Sequence, residues 1–270
     1  MPEATHAGFQ RMFSYDRRDL RASVDGIDTS HADWRRETVR FDAGYGAEKV
    51  TAYIYVPSKG STPFQAVVFA PGSDAFQERD FERYSVSQFD FMIKSGRIVV
   101  VPVFKGTFDR RSELETDSPA ETAVYRDHVV AWVRDLNRTL DYLATRTDIR
   151  HERIGYFGLS WGGALPQLLA NEPRLKANVL VAGGYYFTKA FPEVDQINYV
   201  PRVMTPTLLI NGDTDFYCPV ETCARPFFRL LGTPKPHKRL VLTQSGHLPP
   251  RNDLVRETLD WFDRYLGPIQ

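Results

Sequence analysis

The stretch Ile154-Gly155-Tyr156-Phe157-Gly158-Leu159-Ser160-Trp161-Gly162 reads as a buried strand that turns sharply at a serine and opens into a helix beginning near Trp161. The glycines on either side of Ser160 have a physical reason. A tight strand-to-helix turn crowds the neighbouring backbone and forces the serine into a strained conformation that exposes its Oγ. This is the setting of a nucleophile elbow, in which unpaired N–H groups at the start of the next helix favour an oxyanion.

A hydroxyl is a weak nucleophile at its own pKa, so a base must lie within hydrogen-bond reach and an acid must orient that base. In this order of motifs the acid and then the base follow the serine. Residues 207–210 form an apolar run leading into Asn211-Gly212-Asp213-Thr214-Asp215-Phe216-Tyr217-Cys218-Pro219, which sets two carboxylates just past a strand end. Asp215 is preferred to Asp213, because Gly212 lets the chain turn on leaving the sheet and leaves Asp213 as a turn residue. Residues 240–243 lead in the same way to Ser245-Gly246-His247-Leu248-Pro249-Pro250, so a third strand end delivers His247 as the base. The other histidines, at 6, 31, 128, 151 and 237, read as surface or structural. A second oxyanion donor is expected from Ala70-Pro71-Gly72-Ser73-Asp74-Ala75, where the Ser73 N–H would join that of Trp161; an ordinary turn is the alternative. No metal ligand set and no organic cofactor is implied.

Outward from these motifs, apolar runs at 50–56, 66–70, 98–103, 154–157, 178–182, 207–210 and 240–243 read as strands. Most lack strict alternation, as expected of strands covered on both faces. Helical spacing is clearest at Val129, Trp132 or Val133, Leu136, Leu140 and Leu143, and helices are also expected at 81–94, 161–170, 220–231 and 253–265. Pro166 should kink the helix after Ser160 or leave it with a short first segment. Alternating strands and helices imply an α/β fold with a mostly parallel central sheet of about eight strands and helices on both faces. Residues 1–35 read as a polar lead-in and 36–270 as one catalytic domain, with an antiparallel edge strand near 37–41. The aromatics Tyr185, Tyr186, Phe187, Phe191 and Tyr199 would either cap an acyl or aryl pocket or belong to the core. Tyr185, Tyr186, Phe216 and Tyr217 are the candidate substrate contacts.

Among 270 residues, 34 Lys and Arg balance 34 Asp and Glu, and no basic block of the kind that neutralises phosphates occurs, so nucleic acid is not an expected partner. Residues 1–13 hold no apolar run of signal-peptide length and no segment approaches a membrane span, which leads to the expectation of a cytoplasmic protein without a membrane partner. The two cysteines, Cys218 and Cys223, are expected to be reduced.

At 70–75, 158–162, 211–220 and 245–250 the chain resembles the α/β-hydrolase superfamily, and within it the branch of dienelactone hydrolases, acetyl xylan esterases and prolyl-oligopeptidase-like enzymes. Tyr125-Arg126-Asp127-His128, Leu230-Leu231-Gly232-Thr233-Pro234 and Gly246-His247-Leu248-Pro249-Pro250 also resemble hydrolase domains fused to bacterial serine/threonine kinases. The resemblance covers about residues 36–267. It implies Ser160 as nucleophile, Asp215 as acid, His247 as base, and Trp161 and Ser73 as oxyanion donors. Dienelactone hydrolases carry cysteine where this chain has Ser160, and peptidase relatives carry a propeller for which the chain has no room. The expected function is therefore that of a carboxylesterase acting on a small-molecule ester through an acyl-enzyme. Amide, thioester or lactone cleavage by the same triad, or a non-catalytic binding domain, are the alternatives.

Overall fold

A computed structural model describes residues 1–114, 116–170 and 172–269. In chain order its elements are α1 Glu3–Gln10, β1 Ser23–Asp28, β2 Trp34–Asp42, β3 Lys49–Pro57, β4 Phe64–Ala70, α2 Asp90–Lys94, β5 Ile98–Pro102, α3 Ala123–Ala144 and β6 Ile149–Leu159. They continue with α4 Pro166–Leu169, β7 Leu175–Val181, β8 Thr207–Gly212, α5 Arg225–Leu230, β9 Lys238–Thr243 and α6 Arg251–Leu266. One sheet of nine strands runs in the order β1-β2-β3-β5-β4-β6-β7-β8-β9. Pairing is antiparallel from β1 through β3 to β5 and parallel from β5 onward.

The continuous apolar runs follow from burial on both faces. Along β4, Ala66, Val68 and Ala70 join the core on the α3 side while Val67 and Phe69 join the core packed by Trp261 and Phe262 of α6. The α3 stripe Val129, Trp132, Leu136, Leu140 and Leu143 is buried as its spacing predicts.

Three expectations are corrected. The strand containing residues 37–41 is not the edge, since β1 covers it. Ser-Val-Asp-Gly-Ile-Asp carries no apolar alternation, and β1 forms through backbone pairing with β2 and an Arg40–Asp25 ion pair while all of its residues stay exposed. Residues 81–94 do not make one helix. Two 3-10 turns, at residues 81–83 and 86–88, precede a five-residue α2, and Phe81, Tyr84 and Phe89 are all buried in the core. The cysteines are not reduced, because Cys218 and Cys223 form a disulfide. After Ser160 the chain makes a short 3-10 turn at Gly162–Ala164, breaks at Leu165, and restarts as α4 with Pro166 at its first position, where a missing N–H costs nothing.

Candidate active site

Three loops at the C-terminal ends of parallel strands converge on one cleft. β6 delivers Ser160, which sits at φ +49°, a left-handed conformation that a non-glycine residue holds only at a cost. Its N–H donates to the Val181 carbonyl at 2.7 Å, and Tyr156 Oη donates to the Gly162 carbonyl at 2.7 Å from inside the core, so the turn is tied at both ends. A Cβ on Gly158 would lie 2.3 Å from Gly162 O, and one on Gly162 would lie 2.4 Å from Ala70 O. Only glycine allows the backbone to pass itself so closely.

β8 and β9 are paired through Gly212 and Thr243, and the two loops beyond them are stitched together. Asp213 N–H donates to Thr243 O, Thr214 N–H to Ser245 O, and Ser245 N–H to the Asp213 carboxylate. Asp213 is thus an exposed turn residue. Asp215 is buried, and its Oδ1 accepts the N–H groups of Tyr217 and Cys218 at 2.8 and 3.0 Å. Both of its oxygens face His247 Nδ1, at 3.0 and 2.9 Å. A carboxylate can only accept, so Nδ1 carries the proton and Nε2 is left as the acceptor for the Ser160 hydroxyl, 2.8 Å away. The order of the motifs therefore brings Ser160, His247 and Asp215 into one chain of hydrogen bonds.

The loop after β4 lies against Ser160. Gly162 N–H donates to Pro71 O at 3.0 Å, and the point where a Cβ on Gly72 would sit is 3.6 Å from Ser160 Cβ. Among the described residues neither the Ser73 nor the Trp161 N–H donates to another group of the chain. The Trp161 indole is buried edge-on to Phe76, Phe104 and Trp132, which fixes the backbone that carries its N–H.

A cleft of about 600 Å³ opens over Ser160 and His247. Tyr185, Tyr186 and Tyr217 line it, as expected of substrate contacts. Phe216 does not. Its neighbours fold their N–H groups back onto Asp215, which turns the Phe216 ring outward to 86% exposure. The aromatic cluster divides between its two readings, since Tyr185 and Tyr186 face the cleft, Tyr199 is core, and Phe187 is exposed. The remaining walls were not legible in the sequence. They include Asp74 and Gln88, which lie in short 3-10 turns, and Gln77, Asp117 and Ser118. Asp74 belongs to the stretch 70–75, but nothing in its spacing marks it as a wall of the cleft. Crowding by protein raises the Asp74 carboxyl above its ordinary 3.8.

A second serine–histidine contact, Ser112 Oγ to His128 Nε2 at 2.6 Å, is of a different kind. His128 Nδ1 is committed to the Val124 carbonyl of its own helix and has no acid behind it. Among the described residues no group of three or more His, Cys, Asp or Glu side chains is placed to hold a metal ion, and no helix is long and apolar enough to cross a membrane.

Residues 20–268 match the model of the family described as PETase, PET hydrolase-like. A bis(hydroxyethyl) terephthalate hydrolase of Streptomyces coelicolor is 28% identical over 79% of this chain and 61% of its own length. Cutinase 2 of Thermobifida cellulosilytica is 30% identical over 79% of this chain and 72% of its own. The chain thus spans less than two thirds of the Streptomyces relative. Among solved structures, acetyl xylan esterase 1 of Thermoanaerobacterium superposes with a TM-score of 0.73 at 14% identity, covering 97% of this chain and 93% of that one. That likeness is one of fold, and it bears out the α/β-hydrolase architecture.

Proposed function

The chain belongs to the PET hydrolase-like family, and from that premise and the geometry of the cleft we propose that it is a serine esterase hydrolysing carboxylic esters through an acyl-enzyme. The observation that carries the reading is the 2.8 Å contact between Ser160 Oγ and His247 Nε2. In the first step His247 takes the Ser160 proton as Oγ bonds to the ester carbonyl carbon, and the carbonyl π pair moves onto oxygen. The N–H groups of Ser73 and Trp161 receive that oxyanion, already oriented and without other partners. Asp215 steadies the imidazolium, which then gives its proton to the departing alcohol oxygen. Water repeats the sequence on the acyl-enzyme, losing its proton to His247 and releasing the acid and the free serine.

A cleft of about 600 Å³ is in the range of pockets that hold small organic ligands. Tyrosines on its walls suit an aryl or short acyl group, consistent with relatives named as a bis(hydroxyethyl) terephthalate hydrolase and a cutinase. The Cys218–Cys223 bond supports an oxidising compartment over the cytoplasm expected from the lack of a signal-peptide-like run in residues 1–13. The test is hydrolysis of a chain-length series of p-nitrophenyl esters. Ser160→Ala should retain the melting temperature and lose turnover by several orders of magnitude, and a loss of only twofold would remove Ser160 from this role.

A further inference from the structure

The walls of the cleft carry charge of one sign. Asp74 and Asp117 both line it, and among the described lining residues there is no lysine or arginine. Asp74 flanks the nucleophile closely. The point beside Gly72 that lies 3.6 Å from Ser160 Cβ lies 3.1 Å from Asp74 Oδ1. Its partners are neutral: Gln88 Nε2 donates to Oδ2 at 3.4 Å, and Gln88 is itself held by the Tyr84 hydroxyl at 2.5 Å. Asp117 accepts from the Tyr186 hydroxyl at 2.5 Å and forms no ion pair among the described residues. Arg79, Arg83 and Arg111 belong to nearby loops, but none lines the cleft, and Arg111 donates to the Gln77 backbone carbonyl. The other titratable groups facing this space are His247 and the phenols of Tyr185, Tyr186 and Tyr217.

We propose that Asp74 and Asp117 are specificity-determining residues that make the cleft a charge filter, admitting neutral, hydroxyl-bearing or cationic esters and rejecting esters that carry a carboxylate near the scissile bond. The inference rests on the esterase reading of the same site. Asp74 is exposed and Asp117 half-buried, and with no cation among the described lining residues the two carboxylates repel an anionic substrate at short range, a repulsion that salt screens. The same oxygens, with the amides of Gln77 and Gln88 and the hydroxyl of Ser118, accept hydrogen bonds from substrate hydroxyls.

The experiment compares kcat/KM for three p-nitrophenyl esters of one chain length: the hexanoate, the adipate monoester and the 6-(trimethylammonio)hexanoate. Each is normalised to its rate with hydroxide. The adipate should be worse than the hexanoate by about tenfold or more, the cationic ester at least as good as the hexanoate, and the difference should reside in KM. Asp74→Asn and Asp117→Asn should each narrow the hexanoate-to-adipate ratio by about threefold. Raising NaCl from 0.05 to 0.5 M should narrow it in the unmodified protein, a readout that needs no variant to fold. Equal kcat/KM for hexanoate and adipate, or a ratio that neither salt nor the substitutions move, overturns the inference while leaving the esterase reading intact. Failure to cleave any of the three, with no labelling by a fluorophosphonate, overturns both.

Discussion

Replacing Asp215 by asparagine isolates the acid from the rest of the site. The side chain keeps its volume, and its remaining oxygen can still accept the Tyr217 and Cys218 N–H groups that now bind at 2.8 and 3.0 Å. Its new amide NH₂ then faces His247 Nδ1, where both carboxylate oxygens stand within 3.0 Å. A donor against a donor drives the imidazole to its other tautomer, which places a proton on Nε2 and aims it at Ser160. The base is lost although no side chain has moved. An interchange of tautomer in a triad of this kind costs about ten-thousandfold in kcat, equivalent to about 5 kcal/mol of barrier. The assay is p-nitrophenyl butyrate hydrolysis at neutral pH, with the rate of fluorophosphonate labelling as a second readout and a thermal melt as the control for folding. A folded Asp215→Asn protein that retains more than a tenth of its kcat would refute the assignment of the tautomer and with it the role of Asp215.

Gly162→Ala would press a methyl to within 2.4 Å of Ala70 O in β4, backbone that has nowhere to go, so a loss of about 3 kcal/mol is expected, seen as a fall of roughly 10 °C in Tm. Reduction with dithiothreitol, or Cys218→Ser with Cys223→Ser, should lower stability by about 2 kcal/mol and kcat severalfold, because the disulfide closes the loop whose Cys218 N–H holds Asp215; unchanged kinetics would separate the bond from the triad. Burial alone would raise the Asp90 carboxyl, but hydrogen bonds from Lys94 and Arg251 outweigh it and hold the group below 3.8. A depressed folded pKa means stability that is present above pH 3.8 and lost as pH falls through the folded value. Asp90→Asn should therefore cost no more than about 1 kcal/mol at pH 7, both cations being half-exposed and screened. That cost should shrink in melts taken below pH 3.8 and vanish only once the pH is below the folded pKa of Asp90.

The parts of the molecule legible in the sequence are those in which local chemistry and tertiary role coincide. Strands buried on both faces have to be apolar throughout, and the glycines flanking Ser160 at a strand end mark a turn too tight for a Cβ on either side. Asp215 could be preferred to Asp213 because the turn made by Gly212 uses the nearer carboxylate. What stayed hidden depends on partners distant in sequence. β1 is polar and exists because β2 offers it a free edge. The break at 81–94 leaves no mark in the spacing, since Phe81, Tyr84 and Phe89 would also share one face of a continuous helix. The disulfide could not be inferred from spacing alone, and the outward turn of Phe216 follows from hydrogen bonds made by its neighbours. Asp74 and Asp117, 43 positions apart in the chain, line one cleft only once the fold has brought their loops together.

The most direct test of the central claim is to treat the protein with a fluorophosphonate and map the adduct by peptide mass spectrometry. The account predicts one stoichiometric adduct, on Ser160, whose formation slows by orders of magnitude in His247→Ala. An adduct on any other residue, or no adduct in a folded protein, would contradict it.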